Sequence, residues 1–339
     1  MKVGVHYTNA SFSDRWIEYM KANGIAYKLV DAYQNNIIDE LADCDFFMWH
    51  IHQGNYKDKL FAKQLLFSLQ ASGKKVFPDV NTVWHFDDKV GQKYLLESIN
   101  VSFVPTYVFY TRQEANVWAK TASFPKVFKL RGGAGASNVK LVKTKRKAIS
   151  LINKAFGRGF PLYDKLGSLK ERLRKYKGGK TDIFDVLRGI ARLVLTTPLA
   201  HMLGKDKGYV YFQDFLENNA FDIRIIVIGY KAFAIKRMNR ENDFRASGSG
   251  SIIYEKSQID ERCVKIAFDV NKRLQNQSIA FDFVFDSTNK PLIIEISYGF
   301  VTEVYDKCQG YWDTDMQWYE GAFNPQGWMV ENLIKSSCL

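Results

Sequence analysis

The chain has 339 residues, of which 46% are hydrophobic and 25% are charged. Its length predicts two or three compact units, and its composition excludes wholesale disorder. The net charge is +12, but residues 126–208 hold 21 Lys and Arg against 5 Asp and Glu, so this region carries +16 and the remainder −4. Such a basic region indicates an anionic partner: nucleotide phosphates, a charged glycan, a membrane surface or nucleic acid.

The first 85 residues alternate between strand and helix patterns. KVGVHY, AYKLVDA, DFFMWHI and KVFPD predict strands, and the third is apolar along nearly its whole length, as in a strand buried on both faces. Helices are predicted over residues 11–24, with Ser13 as N-cap and Gly24 as the end, and over about 56–72. This order predicts an open, mostly parallel sheet, and we assign residues 1–85 to an N-terminal α/β domain.

Residues 86–212 are predicted to form a central subdomain. A helix over 86–98 carries Lys89 in its first turn, and strands follow at VPTYVFY and FPKVFKL, with a helix near 113–120 between them. The glycine-rich segment RGGAGASN then precedes VKLVKT, which predicts a hairpin whose loop can close over a ligand. Residues 157–207 form a basic, glycine-punctuated insertion that contains an amphipathic helix.

The C-terminal subdomain, residues 213–339, is predicted to be rich in strands. A helix over about 257–275 interrupts them, and the tail ends in a docked helix. Gly229 and Tyr230 separate two alternating strand patterns, which predicts a tight hairpin.

Two acidic residues lie on neighbouring predicted strands. Asp282 is in IAFDFVFD and Glu295 is in PLIIEIS, which also contains Ser297. Because Glu295 lies within an apolar run, its carboxylate needs a cation or a hydrogen-bond partner. Mg²⁺ prefers carboxylate oxygens together with substrate phosphates and water, so the pair predicts a metal site. The alternative is structural: Asp282 caps a strand and Glu295 faces solvent.

Several other residues have the chemistry of a nucleotide site. Lys129 ends a strand just before the glycine loop and can face phosphates, although no P-loop or dinucleotide fingerprint follows. Residues 213–216 leave a strand and can offer backbone groups to a flat base, and Asp222 can accept a ribose hydroxyl. Arginine suits bidentate phosphate contacts, which makes three residues candidates for a phosphate-rich cleft: Arg224, Arg237 and Arg245.

Taken in order, these segments resemble the ATP-grasp superfamily, and specifically the branch that contains the ribosomal protein S6 glutamate ligase. The resemblance runs from about residue 89 to 298, apart from the insertion. The motifs that carry it are Lys89, Lys129 before the glycine-rich lid, the hinge Gln213-Asp214-Phe215-Leu216, the D-I-R strand Asp222-Ile223-Arg224, the loop Asp243-Phe244-Arg245-Ala246-Ser247, and the metal motif Asp282 with Glu295-Ile296-Ser297. Two serines, Ser247 and Ser297, stand where the family usually has asparagine.

The resemblance implies an α/β (α+β) ATP-grasp fold, with a parallel-sheet N-terminal domain and a nucleotide cleft between two α+β subdomains. It implies ATP and two Mg²⁺ ions, or Mn²⁺, as cofactors, with the metals held by Asp282, Glu295 and Ser297. It implies catalytic roles for Lys129, Arg224 and Arg245. The implied nucleotide contacts are Lys89, Lys129, Gly132, Gly133, Gly135, Gln213, Asp214, Phe215, Leu216, Asp222, Arg237, Arg245 and Ser247.

The function expected from these features is ligation of a carboxylate to an amine through an acyl phosphate. Our substrate hypothesis is an amino acid or amine joined to a uronic acid of a surface polysaccharide. The alternatives are amino-acid addition to a peptide or protein terminus, a kinase on the same fold, and a nucleotide-binding protein without catalysis.

The basic insertion, 157–207, favours contact with an anionic glycan or a membrane surface. No groove-reading module predicts specific nucleic-acid binding. Four scattered cysteines and the lack of a signal-peptide pattern favour the cytoplasm, with peripheral contact at the inner membrane face. Homo-oligomerisation stays open.

Overall fold

The computed structural model describes residues 1–132, 138–161, 181–194, 204–239, 243–244 and 251–336, with the single positions 169, 172, 173, 176 and 202. Its strands are β1 Lys2–His6, β2 Ala26–Val30, β3 Phe46–Trp49, β4 Lys75–Phe77, β5 Thr106–Phe109, β6 Lys126–Lys129, β7 Lys140–Val142, β8 Phe160–Pro161, β9 Lys205–Asp206, β10 Val210–Asp214, β11 Phe221–Ile228, β12 Lys231–Met238, β13 Ile252–Ile253, β14 Ser278–Phe285, β15 Pro291–Ser297, β16 Gly310–Asp313 and β17 Trp318–Glu320. Its α-helices are α1 Phe12–Ala22, α2 Ile37–Glu40, α3 Lys63–Ala71, α4 Val80–Val83, α5 Lys89–Ser98, α6 Arg112–Thr121, α7 Lys145–Ala155, α8 Ile183–Val194, α9 Glu261–Leu274 and α10 Pro325–Lys335.

The N-terminal sheet has the order β2-β1-β3-β4, and all its strand pairs are parallel. Every residue of β3 is buried, as its continuous apolar sequence predicts. The predicted parallel sheet is therefore confirmed.

The cap of α1 differs from the prediction. The helix begins one position after Ser11, whose hydroxyl accepts a hydrogen bond from the Ser13 backbone N–H at 3.2 Å, while the Asp14 carboxylate accepts one from the Ser11 N–H at 3.0 Å. This reciprocal pair is a capping box, so Ser11 is the N-cap and the assignment of Ser13 was wrong. Ser13 lies buried in the first turn.

Other helix starts also differ by a few residues. The helix predicted over 86–98 begins at Lys89, because Asp88 is its N-cap and accepts from the Gly91 N–H. The segment predicted as one helix over 56–72 is a π-helical turn at Asp58–Ala62 followed by α3. In each case the cap decides where the helix begins, and apolar spacing alone does not identify it.

The central sheet has the order β5-β10-β6-β7 and is antiparallel. Strands β6 and β7 pair antiparallel, as predicted for the hairpin, and residues 133–137 of the glycine-rich segment lie outside the described residues. Helices α6 and α7 cover this sheet and complete a core that includes Phe128, Phe212 and Ile152.

The largest sheet has the order β15-β14-β11-β12-β16-β17, with β13 paired to β12. Both faces of this sheet are covered. Because side chains alternate along a strand, odd- and even-numbered residues of β11 pack in different cores. Ile223, Ile225 and Val227 of β11 pack in a core with α9, whereas Ile226 and Ile228 pack in the core of the N-terminal sheet and α10. The even-numbered face of β11 therefore meets the N-terminal half of the chain.

The hairpin predicted at Gly229 and Tyr230 joins β11 and β12. Gly229 has φ +57°, in the left-handed region that favours glycine. The predicted docked helix at the C-terminus is α10, and the predicted amphipathic helix of the insertion is α8. No helix in the described ranges combines the length and apolarity needed to cross a bilayer.

Candidate active site

Three charged side chains form a row across the large sheet. Arg224 of β11 lies directly opposite Asp282 of β14, which in turn lies opposite Glu295 of β15. Directly opposed residues of antiparallel strands point to the same face, so all three side chains share one side of the sheet. That side is the even-numbered face of β11, which carries Asp222 and Arg224 beyond the end of the N-terminal core. Because side chains alternate along a strand, Arg224 shares this face with Asp222 and Ile226.

Asp282 lies between two guanidinium groups. Arg224 Nη1 is 3.3 Å and Arg237 Nη2 is 3.0 Å from its carboxylate oxygens. Burial alone would raise the carboxyl pKa, but the two arginines outweigh it, so the pKa of Asp282 lies below its ordinary value. Its Oδ1 atom is buried and 3.3 Å from Arg224 Nη1, and within the described part of the chain no donor meets it with hydrogen-bond geometry. Asp282 is therefore an ionised carboxylate held between two arginines.

Glu295 lies deep in the cleft and keeps 35% of its side-chain surface accessible from the cavity. Lys89 Nζ is 3.1 Å from its Oε1. Burial opposes ionisation, but Lys89 and Lys129 together outweigh it and lower the pKa of Glu295. The α5 N-terminus positions Lys89, whose backbone N–H donates to the Arg131 carbonyl at 2.9 Å.

Lys129 is the last residue of β6 and is buried. Its Nζ donates to Gln213 Oε1 at 2.7 Å, and Gln213 Nε2 donates to Thr106 Oγ1 at 3.1 Å. Burial lowers the pKa of Lys129 to about 8, with the negative charge of Glu295 acting in the opposite direction. The neighbouring Lys126 points to the other face of the strand, where it pairs with Asp214 at 2.6 Å.

Asp222 and Arg237 are opposed on β11 and β12. Arg237 donates to both Asp222 oxygens at 2.7 Å through Nε and Nη2, a bidentate pair. Both carboxylate oxygens of Asp222 thus accept hydrogen bonds from Arg237. The contact of Asp222 with a ribose hydroxyl stays a prediction.

A cavity of about 750 Å³ connects these residues. The sequence-predicted residues that line it are Lys89, Lys129, Asp214, Phe215, Leu216, Asp222, Arg224, Arg237, Asp282, Glu295 and Ser297. Gln213 lies beneath the lining, fully buried. Gly132 lines a neighbouring cavity of about 260 Å³. Gly133, Gly135, Arg245 and Ser247 lie outside the described residues. The structure thus brings most of the predicted set together, and the role of each residue stays a prediction.

The N-terminal domain lines the other end of the cavity, through Ala10, Ser11, His50, His52 and Gln53. His50 stacks on Phe12 at 3.9 Å, and its Nδ1 accepts from the Phe12 N–H at 3.1 Å. Burial lowers the pKa of His50 to about 3, so the ring is neutral and its proton is on Nε2. His50 therefore offers a neutral donor.

The sequence prediction missed one positioning residue, Gln92. Its Oε1 accepts from the Ile296 N–H at 3.4 Å, and its Nε2 donates to the His85 carbonyl at 3.2 Å. Gln92 thereby joins α5 to β15, beside the Lys89–Glu295 pair. The available indication was its spacing: three residues after Lys89, it shares that helix face.

The prediction also missed the loop after β15. Burial of Tyr305 in this loop raises its pKa to about 12, and the nearby Arg224 and Arg237 act in the opposite direction. No regular spacing marks this loop in the sequence.

The donor set fits a hard divalent cation. Asp282 and Glu295 are register partners on one sheet face, and among the described residues Asp282 Oδ1 has an ion-pair partner, Arg224, but accepts no hydrogen bond. Ser297 lies two residues after Glu295 on β15, opposite Ala280, and its hydroxyl donates to the Gly299 carbonyl at 3.2 Å. Across the described ranges, no group of three or more His, Cys, Asp and Glu converges as a metal cage. Two carboxylates completed by phosphates and water are what Mg²⁺ accepts.

Residues 196–316 match the sequence profile described as the RimK-like ATP-grasp domain. No curated protein has a significant sequence match to the chain. Among solved structures, the chain resembles a RimK domain ATP-grasp protein from Sphaerobacter thermophilus, with a TM-score of 0.57 and 12% identity over 99% of this chain and 100% of that one.

The chain is also similar to D-alanine–D-alanine ligase from Bacillus anthracis, with a TM-score of 0.58 and 13% identity over 100% of this chain and 97% of that one. It is similar to the biotin carboxylase domain of 2-oxoglutarate carboxylase from Hydrogenobacter thermophilus, with a TM-score of 0.60 and 13% identity over 98% and 69% of the two chains. At such identities the likeness concerns the fold. The chain therefore has the ATP-grasp fold, and residues 196–316 match its RimK-like form.

Proposed function

We propose that the protein is an ATP- and Mg²⁺-dependent carboxylate–amine ligase that forms an acyl phosphate. The observation that carries this proposal is the convergence, on one cavity, of two ionised carboxylates with Lys89, Lys129 and Arg224. Such a site can neutralise a triphosphate and hold a divalent ion beside it. The ATP-grasp fold supports the same reaction class.

Each residue has a defined task in the proposed site. Asp282 and Glu295 would hold Mg²⁺, which when bound would offset negative charge on the phosphates of the nucleotide. Lys129 and Lys89 approach the phosphates from the lid and from α5, and Arg224 faces the transferred group from the sheet. The protein positions and neutralises, and the reaction needs no nucleophilic side chain. The cysteines in the described ranges are buried.

The reaction proceeds by two displacements. A substrate carboxylate oxygen attacks the γ-phosphorus, a P–O bond to ADP breaks, and an acyl phosphate forms. The amine nitrogen then attacks the acyl carbon, phosphate leaves with the C–O electron pair, and the nitrogen loses a proton. Closure of the β6–β7 hairpin over the site would keep water from the acyl phosphate.

We place the carboxylate substrate at the end of the cavity lined by the N-terminal domain. The neutral His50 Nε2–H there can donate to a substrate oxygen without adding a charge. Our substrate hypothesis remains a uronic acid of a surface polysaccharide, which the basic region from 126 to 208 supports. Aromatic residues near the C-terminus could stack on sugar rings, but they support the hypothesis less: Trp312 is buried, and the rings of Tyr311 and Tyr319 stack on each other with centroids 5.1 Å apart.

The first experiment identifies the products. The protein is incubated with ATP, Mg²⁺, candidate uronic acids whose carboxylates carry ¹⁸O, and candidate amines. We expect ADP and phosphate, with one ¹⁸O transferred from the carboxylate to the phosphate. AMP with pyrophosphate would contradict the acyl-phosphate route. A stable phosphorylated product without amine would make the protein a kinase, and acceptance of peptide termini alone would replace the polysaccharide hypothesis.

The second experiment changes the metal site. Glu295→Gln removes the charge but keeps the shape, and we expect turnover to fall by about 10²–10³-fold, as for loss of one preorganised charge contact. Glu320→Gln, an exposed change on β17, is the control and should retain wild-type activity. Equal activity of the Glu295→Gln protein and wild type would show that the carboxylate pair does not serve the reaction.

A further inference from the structure

Helix α8 exposes large apolar side chains. The exposed fractions are 45% for Ile183, 65% for Phe184, 52% for Leu187 and 49% for Ile190. At 3.6 residues per turn, positions 183, 187 and 190 form one stripe, and Phe184 lies beside it. A surface helix ordinarily presents polar residues on its outer side, so this stripe is unusual.

The stripe is not the inner face of α8, because that face is already packed. Val186 is only 3% exposed, and Gly189 is buried. A Cβ atom at Gly189 would lie 2.7 Å from Arg172 Cδ and 3.1 Å from Leu169 Cδ1, so the chain packs closely there. The helix thus has a packed apolar side and, separately, an exposed apolar stripe.

Positive charge borders the stripe. Arg188 and Arg192 are exposed on α8, and at 100° per residue they follow Phe184 around the helix. The acidic residue of the helix, Asp185, pairs with Arg172 on the packed side. The insertion as a whole holds 12 Lys and Arg against 5 Asp and Glu over residues 157–207. The exposed side of α8 therefore combines apolar and cationic groups.

We propose that α8 docks the protein on an anionic lipid surface. Ile183, Phe184, Leu187 and Ile190 enter the boundary between headgroups and acyl chains, and Arg188 and Arg192 contact the phosphates. Apolar side chains flanked by arginines on one exposed helix side are the chemistry of an interfacial helix. An apolar groove on another protein would account for the stripe but not for the positive charge around it. The positive charge therefore favours an anionic lipid partner. The inference does not depend on the proposed ligase reaction.

The test uses the full chain and vesicle flotation. Vesicles of phosphatidylcholine containing phosphatidylglycerol are compared with vesicles of phosphatidylcholine alone. We expect the protein to float with the anionic vesicles, and the double variant Phe184→Ser/Leu187→Ser to bind them at least about tenfold more weakly. The charge variant Arg188→Glu/Arg192→Glu should lose binding to a similar degree, and added salt should weaken wild-type binding.

The matched control is Ile38→Ser/Val117→Ser, which removes two apolar side chains that are 56% and 59% exposed elsewhere. It should bind like wild type, and circular dichroism should show the same thermal transition for all variants. The proposal is overturned if wild type stays unbound, if both lipid compositions bind equally, or if the control loses as much binding. A dimer that depends on the stripe, without vesicle binding, would also overturn it.

Discussion

Lys129 illustrates how burial changes the chemistry of a single side chain. Its ammonium group is enclosed at the end of β6, and desolvation lowers its pKa to about 8, against an ordinary value of about 10.4. Between these two values the unfolded chain binds a proton that the folded protein does not, so the nucleotide-free protein becomes more stable as pH rises through that window. A bound phosphate favours the protonated form of Lys129, whereas burial in the nucleotide-free protein favours the neutral form.

We predict that nucleotide affinity falls as pH rises above about 8, because binding must then protonate Lys129. The decrease should approach about tenfold per pH unit, until the pKa in the complex is reached. Calorimetry in buffers of different ionisation enthalpy should detect proton uptake on binding. Lys129→Arg stays charged and should give a flatter profile. A wild-type profile as flat as that of the arginine variant would contradict the prediction.

The sequence could single out Arg224, Asp282 and Glu295 as candidates because each interrupts an apolar strand, but their alignment in one row is a finding of the structure. It could not indicate the pairing of Asp222 with Arg237 or of Lys89 with Glu295. Those pairs join different elements, and strand register and helix docking decide which charges meet.

One face of strand β11 contributes both to the cavity and to the hydrophobic core. Its first half presents Asp222 and Arg224 to the cavity, and its second half presents Ile226 and Ile228 to the N-terminal core. The hairpin at Gly229 sets the register of β12 and therefore the position of Arg237 opposite Asp222. A change in this turn would therefore alter the position of Arg237 in the site.

We predict that Gly229→Ala destabilises the protein by about 1–2 kcal/mol, because an L-residue at φ +57° is strained. Its Cβ would also clash with the Asn332 side-chain amide of α10. Urea unfolding should measure the change. Asn332→Ala in the same protein should recover the part due to the contact but not the part due to the backbone. An unchanged midpoint for Gly229→Ala would contradict both terms.

The N-terminal sheet and the large sheet share one hydrophobic core. Val3, Val5 and Phe47 belong to the same cluster as Ile226 and Phe233, and α10 contributes Trp328, Met329, Val330 and Leu333 to it. Polar contacts cross the same boundary: Tyr19 donates to Glu331 at 2.5 Å, and Arg15 pairs with Asp306 at 2.6 Å. Residues on both sides of the proposed domain boundary near residue 85 therefore belong to this one hydrophobic core.

We predict that residues 1–85 alone do not fold cooperatively, because the partners of their core come from residues 226–333. Circular dichroism and dispersion of amide NMR signals should show a largely unfolded fragment. In the full chain, Trp328→Ala should cost about 3–5 kcal/mol and lower the stability of the N-terminal sheet together with the large one. A well-folded 1–85 fragment would refute this coupling.

The sequence alone was sufficient for the main strands and helices, the parallel N-terminal sheet and the hairpin at Gly229, because periodicity and residue chemistry are local properties. It also proposed Asp282 and Glu295 as metal ligands, and that role stays a prediction. Cap positions, the cation partner of each carboxylate and the packed core beneath α10 depended on the tertiary structure. These features arise where segments distant in the chain meet, and their energy depends on register and burial, which no local pattern encodes.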